Sequence, residues 1–539
     1  MAGRLLVRRG APPSWVVRSA LAAVGLALAL AAAPARAGGV LTVCTEASPD
    51  GFDVAQSTST VTVDAAGLTL YDQIVRFKPG TAELAPGLAE RWETSPDGLQ
   101  LTLHLRRGVK FHATPWFTPT REMNADDVVF SLRRQHDPKS PWRAAARTGF
   151  ISWGARGLDK TIQSIDKVDA YTVRLTLDHA DAALPNHLAN AFVGSVFSAE
   201  YADRLMAAGR PGDLDSQPVG TGPFAFRSYQ KDAVIRFAPN KAYWGGPSTL
   251  DGLVIAITND PQVRVQRLKA GECLIGANMR AETVPSFEGT KVKAIGGTTL
   301  ISGYLPLNTE KPFLNDKRFR QALWMGFDKA RFIQSVYGGR AAPAASFLPP
   351  AQWSHDASLK DRYDPEGAKA LVKASGYDGR ELSIFTRIGG SIDGKRAAEL
   401  MQGDWARIGV KTRVQMMEWG ELLKRTGLGE HDITFLNWAG SGDPDGVLTP
   451  NLSCAAIAAR GNRSRWCSKE FDALLDAARS TSDQTKRAEL YVKAQKLIYD
   501  EVPLIPSVYP QNFVAVHEKV RGFVPNPRAD LDLRGVSLP

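Results

Sequence analysis

The pattern of predicted strands and helices changes near residue 300, and this change restricts the possible folds more than any other feature of the chain. Before it, short segments alternate apolar and polar residues as strands do, for example residues 99–106 (LQLTLHLR) and 171–177 (YTVRLTL). After it, strands alternate with longer amphipathic helices. A chain of 539 residues is long enough for about three ordinary domains or two large lobes. We therefore predict an α/β protein with a β-rich first lobe and an α/β second lobe.

The second half contains one strand–helix–strand unit. Its predicted strands are residues 381–388 and 411–417, and its predicted helix is 395–408, which ends at Gly409. Residues 317–337 predict a single amphipathic helix that ends at two glycines. Short apolar runs return from residue 503 onward, so we expect the C-terminal tail to cross back to the first lobe.

The first 37 residues have the pattern of a cleavable export signal. Four arginines and no acids precede a run of about 15 apolar or small residues, and a small-x-small sequence predicts cleavage after about Ala37. The run is short of the ~20 residues that span a bilayer. A twin-arginine signal is not favoured, because Arg8-Arg9 is followed by Gly-Ala-Pro-Pro and not by an apolar residue. Without the signal the net charge falls from +10 to +5, and no basic run is dense enough to indicate nucleic-acid binding.

Four cysteines lie in the mature chain, and an even number in an exported protein suits two disulfides. Three pairings are possible. The simplest joins Cys454 to Cys467 locally and Cys44 to Cys273 over a long loop. A metal site is not expected, because the spacing lacks C-x-x-C and no histidine is nearby.

No sequence motif indicates catalysis. The chain has neither G-x-S-x-G nor H-E-x-x-H, so we predict no catalytic residues and no enzyme activity. Gly389 and Gly394-Lys395 have the spacing of a phosphate loop, but Arg396 stands where Ser or Thr would bind magnesium. The same helix start, with Arg387 nearby, could hold a ligand carboxylate or be an ordinary crossover loop. An exported hydrolase remains the alternative of another class.

Two tryptophans and two aspartates are candidates for ligand binding. Trp419 and Trp438 follow or end predicted strands, where α/β lobes place their ligand crevices. Core packing is the alternative for each tryptophan. Asp443 and Asp445 flank a proline just after Trp438, so they could hold a cationic ligand group or act as turn residues.

The mature chain resembles the dipeptide-binding periplasmic proteins of bacterial ABC importers, in solute-binding protein family 5, the peptide and nickel cluster. The likeness runs along almost the whole mature chain. It is carried by residues 47–53 (ASPDGFD), 83–92 (ELAPGLAERW), 122–131 (EMNADDVVFS), 218–224 (PVGTGPF), 318–337 (RFRQALWMGFDKARFIQSVY), 404–410 (DWARIGV), 417–425 (MEWGELLKR) and 442–445 (GDPD), and by the cysteines.

This resemblance implies a two-lobe periplasmic-binding-protein fold of type II, in the large peptide-binding cluster, with mixed sheets linked by a hinge. It implies lobe one at 38–299 and 507–539, and lobe two at 300–506. It also supports the cysteine pairing given above. The family closes its lobes over a ligand without breaking a bond in it.

The resemblance also suggests site residues. The family binds peptides through backbone groups of the segment matching Thr58, Ser59 and Thr60, and the tryptophan matching Trp419 lines the pocket. Both charged anchors of the family are missing here. Ser441 stands where the aspartate for the peptide ammonium is expected, and residues 389–394 contain no arginine for the carboxylate. Our candidate replacements are Asp443 for the ammonium and Arg387 for the carboxylate.

We therefore expect a periplasmic receptor that captures a small peptide or peptide-like ligand and delivers it to ABC permease subunits at the inner membrane. It should be a monomer without metal or cofactor. Because both anchors differ, a modified peptide, an amino-acid derivative, an opine-like conjugate, a polyamine or haem are alternative ligands. A sensory or chaperone-like role with the same lobes is a third possibility.

Overall fold

A computed structural model describes Gly3 and residues 38–539 except Thr298, Ser391 and Ser441. The predicted export signal and its cleavage site thus lie outside the described residues, apart from Gly3. Residues from Gly39 to Pro539 form one unit. The strands of the described residues form five sheets. We call the part built on the seven-stranded sheet lobe one, and the part built on the four-stranded sheet that contains Ile301–Pro306 lobe two.

Lobe one is built on a seven-stranded mixed sheet. Its central strand, Val40–Thr45, pairs in parallel with Gly252–Ile257 and Ile275–Met279, while the outer strands pair antiparallel. In spatial order the strands are Val292–Gly297, Asn512–His517, Ile275–Met279, Val40–Thr45, Gly252–Ile257, Val234–Pro239 and Phe224–Gln230. The strand Asn512–His517 comes from the C-terminal tail, so the chain returns to lobe one there.

Two smaller antiparallel sheets belong to the first half of the chain. Strand Gln100–Leu105 buries alternate leucines, as its sequence predicts. The sheets contain the strands Ala89–Thr94, Gln100–Leu105, Thr172–Leu177 and Ile162–Asp169, and the strands Val75–Phe77 and Leu84–Pro86. The alternating sequence of residues 71–77 also predicts a strand, but the structure has only Val75–Phe77 as strand there.

Lobe two contains a four-stranded sheet and a three-stranded parallel sheet. The predicted strand–helix–strand unit is present: Leu382–Arg387 pairs in parallel with Thr412–Met417, and helix Gly394–Arg407 connects them. The helix buries Met401 and Trp405 against this sheet. The four-stranded sheet has the order Ala341–Pro343, Leu504–Pro510, Ile301–Pro306 and Leu436–Ala439, and Ile433–Thr434 completes the three-stranded one.

The helices lie along the chain between the strands of both lobes. The α-helices are Thr60–Thr62, Ala125–His136, Pro141–Ala145, Ile151–Ala155, Leu158–Thr161, Leu184–Ala189, Ala191–Gly194, Ala199–Ala207, Asp213–Ser216, Pro261–Lys269, Lys317–Met325, Lys329–Tyr337, Pro365–Ala374, Gly394–Arg407, Trp419–Gly427, Asp445–Leu452, Ala455–Ala458, Lys469–Arg479 and Gln484–Glu501. Val54–Gln56 and Ala281–Phe287 are 3₁₀ turns, and Val63–Gly67 is a π turn.

The single helix predicted over 317–337 is wrong, because the structure has two helices there. Lys317–Met325 ends at Gly326, and Asp328 caps Lys329–Tyr337 by accepting a hydrogen bond from the Arg331 backbone N–H. An aspartate that caps the second helix competes with continuation of the first, which explains the break inside a continuous amphipathic pattern.

Two chain connections join the lobes. One lies between Gly297 and Ile301, and the other is Gln511, between the strands Leu504–Pro510 and Asn512–His517. The Thr299 hydroxyl donates to the Pro510 carbonyl at 2.9 Å, so the two connections are linked by a hydrogen bond. The lobe limits at 299 and 507 stay predictions.

Both disulfides of the structure follow the simplest pairing. Cys44 and Cys273 are bonded with their Cα atoms 5.7 Å apart, and Cys454 and Cys467 with theirs 4.5 Å apart. The first ties strand Val40–Thr45 to the segment before Ile275–Met279. The second closes a short loop in lobe two, with its cysteines 13 positions apart in the sequence.

Candidate ligand-binding cleft

A hydrogen bond between the lobes joins two of the predicted site residues. Trp419 begins helix Trp419–Gly427, which Glu418 caps by accepting from the Gly420 backbone N–H. The indole Nε1 of Trp419 donates a hydrogen bond to the Ser59 hydroxyl at 3.2 Å. Ser59 is buried and precedes helix Thr60–Thr62 in lobe one. The two residues are far apart in sequence, yet the fold places them on opposite walls of one cleft.

Arg387 lies beside this contact. It is the last residue of strand Leu382–Arg387, and its guanidinium carbon stands 4.3 Å from the centre of the Trp419 ring. Its Nε is buried and has no hydrogen-bond partner among the described residues. Burial lowers the pKa of Arg387, although the nearby carboxylates of Glu46 and Glu418 oppose this. A guanidinium held this way can donate to a ligand carboxylate.

The glycine loop after Arg387 encloses its side chain. Gly390 has a φ of +91°, and a Cβ on it would lie 2.4 Å from the guanidinium carbon of Arg387, so a larger residue would displace the arginine. The carbonyl of Gly390 also accepts a hydrogen bond at 3.0 Å from Arg280 of lobe one. The loop thus touches both the candidate carboxylate-binding side chain and the opposite lobe.

A cavity with walls from both lobes begins at Thr60, the residue after Ser59. Thr60 lines it from lobe one, and Ala439 and Gly440 line it from lobe two. Trp438 precedes them in strand Leu436–Ala439, and its ring is half-buried with its Nε1 lacking a partner among the described residues. Thr58 is half-buried at the same end of lobe one. The structure therefore brings Ser59, Trp419 and Arg387 into contact and places Thr60 at the cavity, whereas the roles of Thr58 and Trp438 stay predictions.

Ser441 and Asp443 are the two positions considered for binding the ligand ammonium, and Asp443 is not part of the described cavity lining. Ser441 lies outside the described residues. Asp443 is buried inside lobe two, where its carboxylate forms an ion pair of 2.8 Å with Arg487 and accepts from the Asp445 backbone N–H. This geometry does not support Asp443 as an ammonium anchor, because its charge is already balanced by Arg487.

Sequence reasoning missed a second contact between the lobes. His187 in helix Leu184–Ala189 of lobe one lies 3.2 Å from the Asp445 carboxylate of lobe two, and both side chains are buried. Asp445 also pairs with Arg479 at 2.9 Å and accepts from the Thr449 hydroxyl. Burial opposes ionisation of Asp445, but Arg479 and His187 outweigh it and hold its pKa well below the usual value.

This contact gave little sequence signal. The histidines are scattered along the chain, and His187 carries no motif. The spacing of Asp445 and Thr449, four residues apart on a helix, predicts only that these two side chains are neighbours.

Among the residues that the structure describes, no group of three or more His, Cys, Asp or Glu side chains could hold a metal ion. In the same part of the chain no helix is long and apolar enough to cross a membrane.

Comparison with known proteins gives a consistent result. Residues 83–459 match the model of the bacterial extracellular solute-binding proteins, family 5. The chain is 45% identical to a di/tripeptide-binding protein of Pseudomonas aeruginosa, over 96% of this chain and 98% of the relative.

Two solved structures cover 93% of the chain at 34% identity. One is a dipeptide-binding protein from Pseudoalteromonas in complex with Met-Leu, with a TM-score of 0.88 over its full length. The other is an ABC transporter-associated periplasmic binding protein from Helicobacter pylori in complex with the peptide STSA, with a TM-score of 0.89 over 98% of its length.

These likenesses confirm the two-lobed type II periplasmic-binding-protein fold that the sequence predicts. They cover nearly the whole chain, both lobes included. The chain therefore belongs to family 5 of the bacterial extracellular solute-binding proteins.

Proposed function

We propose that this protein captures a small peptide between its lobes and delivers it to the permease of an ABC importer. The observation that carries the proposal is the position of Arg387, which is stacked on Trp419 beside the contact between Trp419 and Ser59. Its Nε has no hydrogen-bond partner in the described part of the chain. By their names and bound ligands, the relatives described above bind short peptides, from dipeptides to the four-residue STSA, and the chain aligns with them along almost their entire length.

In this proposal each wall of the cleft has a distinct role. The Arg387 guanidinium binds the α-carboxylate of the peptide, and the rings of Trp419 and Trp438 cover its side chains. Backbone groups of Thr58, Ser59 and Thr60 bond the peptide main chain from lobe one. A ligand held by both walls favours the closed form, because only that form makes all the contacts.

The protein acts as a receptor and not as an enzyme in this proposal. It is exported to the periplasm with cleavage after about Ala37, works as a monomer, and docks on permease subunits at the inner membrane. N-terminal sequencing of the mature protein tests the cleavage site. Mass spectrometry of a peptide after long incubation tests the hydrolase alternative, since a receptor returns the peptide intact.

Replacing Arg387 with methionine tests the peptide site directly. We expect the affinity for Met-Leu to fall by roughly 100-fold, about 3 kcal/mol, because the ligand carboxylate loses a partly buried guanidinium. Isothermal titration calorimetry with Met-Leu and with its C-terminal amide measures this. Wild type should bind the acid more tightly than the amide, and Arg387→Met should bind the two alike.

Arg396→Met is the matched control. Arg396 lies at the start of helix Gly394–Arg407, close to Arg387 in sequence, but its side chain is exposed. This variant should bind Met-Leu as wild type does. Failure of wild type to bind any dipeptide would contradict the proposed function, and an unchanged affinity in Arg387→Met would contradict the role of that residue.

A further inference from the structure

Three arginines line the cavity that adjoins the cleft. They are Arg76, in the strand Val75–Phe77, and Arg528 and Arg534 from the C-terminal tail. The single acidic residue in the lining is Asp530. The same cavity is lined by Thr60, which follows Ser59, and by Ala439 and Gly440, which follow Trp438. We call it the arginine cavity.

Two of these arginines already have acidic partners. Arg528 pairs with Asp530 at 3.0 Å, and its guanidinium lies over the Phe77 ring. Arg534 pairs with Asp532 at 2.5 Å. Their charges are balanced within the tail and leave little capacity for a ligand.

Arg76 is different because its guanidinium has no ion pair or hydrogen bond among the described residues. Its Nε is buried without a partner, and its guanidinium carbon stands 5.0 Å from the centre of the Trp244 ring. The Asp72 carboxylate, which also acts on Arg76, accepts hydrogen bonds from Tyr243, Trp244 and Thr221. Burial lowers the pKa of Arg76 and the positive charge of Arg534 lowers it further, while Tyr243, Asp72 and Asp532 oppose this. The cavity therefore contains a half-buried cation that has no direct ion-pair partner among the described residues.

We propose that the arginine cavity receives an anionic group of the bound peptide and that Arg76 binds this group. The preferred ligands are then small peptides with an aspartyl or glutamyl side chain, or peptide-like molecules with a second carboxylate. The planar guanidinium matches a carboxylate with two parallel N–H···O bonds, and the half-buried position strengthens them. This inference rests on the proposed function and adds a ligand class to it.

The test compares three dipeptides with different second residues, of which glutamate and glutamine have the same shape and differ in charge, while lysine carries the opposite charge. Ala-Glu, Ala-Gln and Ala-Lys are titrated into the mature protein by calorimetry at low ionic strength. We expect wild type to bind Ala-Glu about tenfold more tightly than Ala-Gln, which corresponds to one charge-assisted hydrogen-bond pair, and Ala-Lys least tightly. Arg76→Gln should bind Ala-Glu and Ala-Gln with equal affinity.

Arg106→Gln is a closely matched control. The Arg106 guanidinium stacks on the same Trp244 ring at 4.4 Å, but Arg106 is not part of the described cavity lining. This variant should keep the preference for Ala-Glu. Thermal unfolding of both variants shows whether either substitution disturbs the fold.

Each outcome has a separate meaning. If wild type binds Ala-Gln and Ala-Glu alike, the inference fails while the proposed peptide receptor stands. If the preference survives in Arg76→Gln, Arg76 is not the anion-binding residue and the inference fails as stated. If none of the three dipeptides binds, the proposed function fails and the inference falls with it.

Discussion

Replacing Asp445 with asparagine is expected to lower the free energy of unfolding by about 3–5 kcal/mol, because the change leaves a buried guanidinium without its buried anion. Asp445 is fully buried, and it is the partner of Arg479 at 2.9 Å. Its charge also acts on Arg156, another buried arginine, whose pKa burial lowers to about 10. The amide of asparagine balances neither charge. Urea unfolding at pH 7 measures the change.

Asp476→Asn is the matched control for this substitution. Asp476 also forms an ion pair with Arg479, but its side chain is 60% exposed. An exposed pair contributes at most about 1 kcal/mol, so this variant should unfold close to wild type. If Asp445→Asn is equally close to wild type, the buried network does not hold the second lobe as we argue.

The same substitution bears on closure of the lobes. Asp445 is the lobe-two partner of His187, so its loss removes a buried contact between the lobes. We expect Asp445→Asn to weaken ligand binding as well as stability, whereas a purely local role would change stability alone. Replacing His187 with glutamine separates the two effects, because it leaves the pair of Asp445 and Arg479 in place.

Much of the fold could be predicted because its signals are local. Asn124 precedes two aspartates, and it caps helix Ala125–His136 with a reciprocal capping box. Gly409 has a positive φ angle at the helix end where the sequence predicts it, and Gly376 has one just after helix Pro365–Ala374. The alternation in Gln100–Leu105 and Thr172–Leu177 specifies one buried face for each strand. Each of these inferences depends only on neighbouring residues in the sequence, and not on which other segment of the chain packs against them.

The cleft could be predicted only in part, because its contacts join distant segments. Resemblance identified Trp419 and the segment around Ser59, but no local pattern shows that their side chains are bonded. Asp443 was expected at the ligand because it lies in a polar loop, yet Arg487 in a distant helix neutralises it. Arg76 carried no signal at all, because its lack of a partner becomes visible only once the surrounding acids have been assigned.

Acid should destabilise the protein between pH 6.5 and 4 through two buried histidines. Burial lowers the pKa of His112 to about 4 and that of His431 to about 3. An exposed histidine of the unfolded chain has a pKa of about 6.5. As the pH falls through this window, these histidines bind protons in the unfolded chain but not in the folded protein. Their contribution to stability is therefore fully present above the window and is lost within it. At pH 4, each of the two histidines should have lowered the free energy of unfolding by roughly 3 kcal/mol relative to neutral pH.

The His112 site shows why its ring stays neutral. Its Nε2 lies 2.9 Å from the Gly222 carbonyl, and its Nδ1 accepts a hydrogen bond from the Gly220 backbone N–H. A proton on Nδ1 would face that N–H and lose the acceptor. Urea unfolding at several pH values should therefore show a shallower loss of stability in His112→Gln than in wild type. His179→Gln, which changes a partly exposed ring, should keep the wild-type slope, and equal slopes for all three proteins would contradict the assignment.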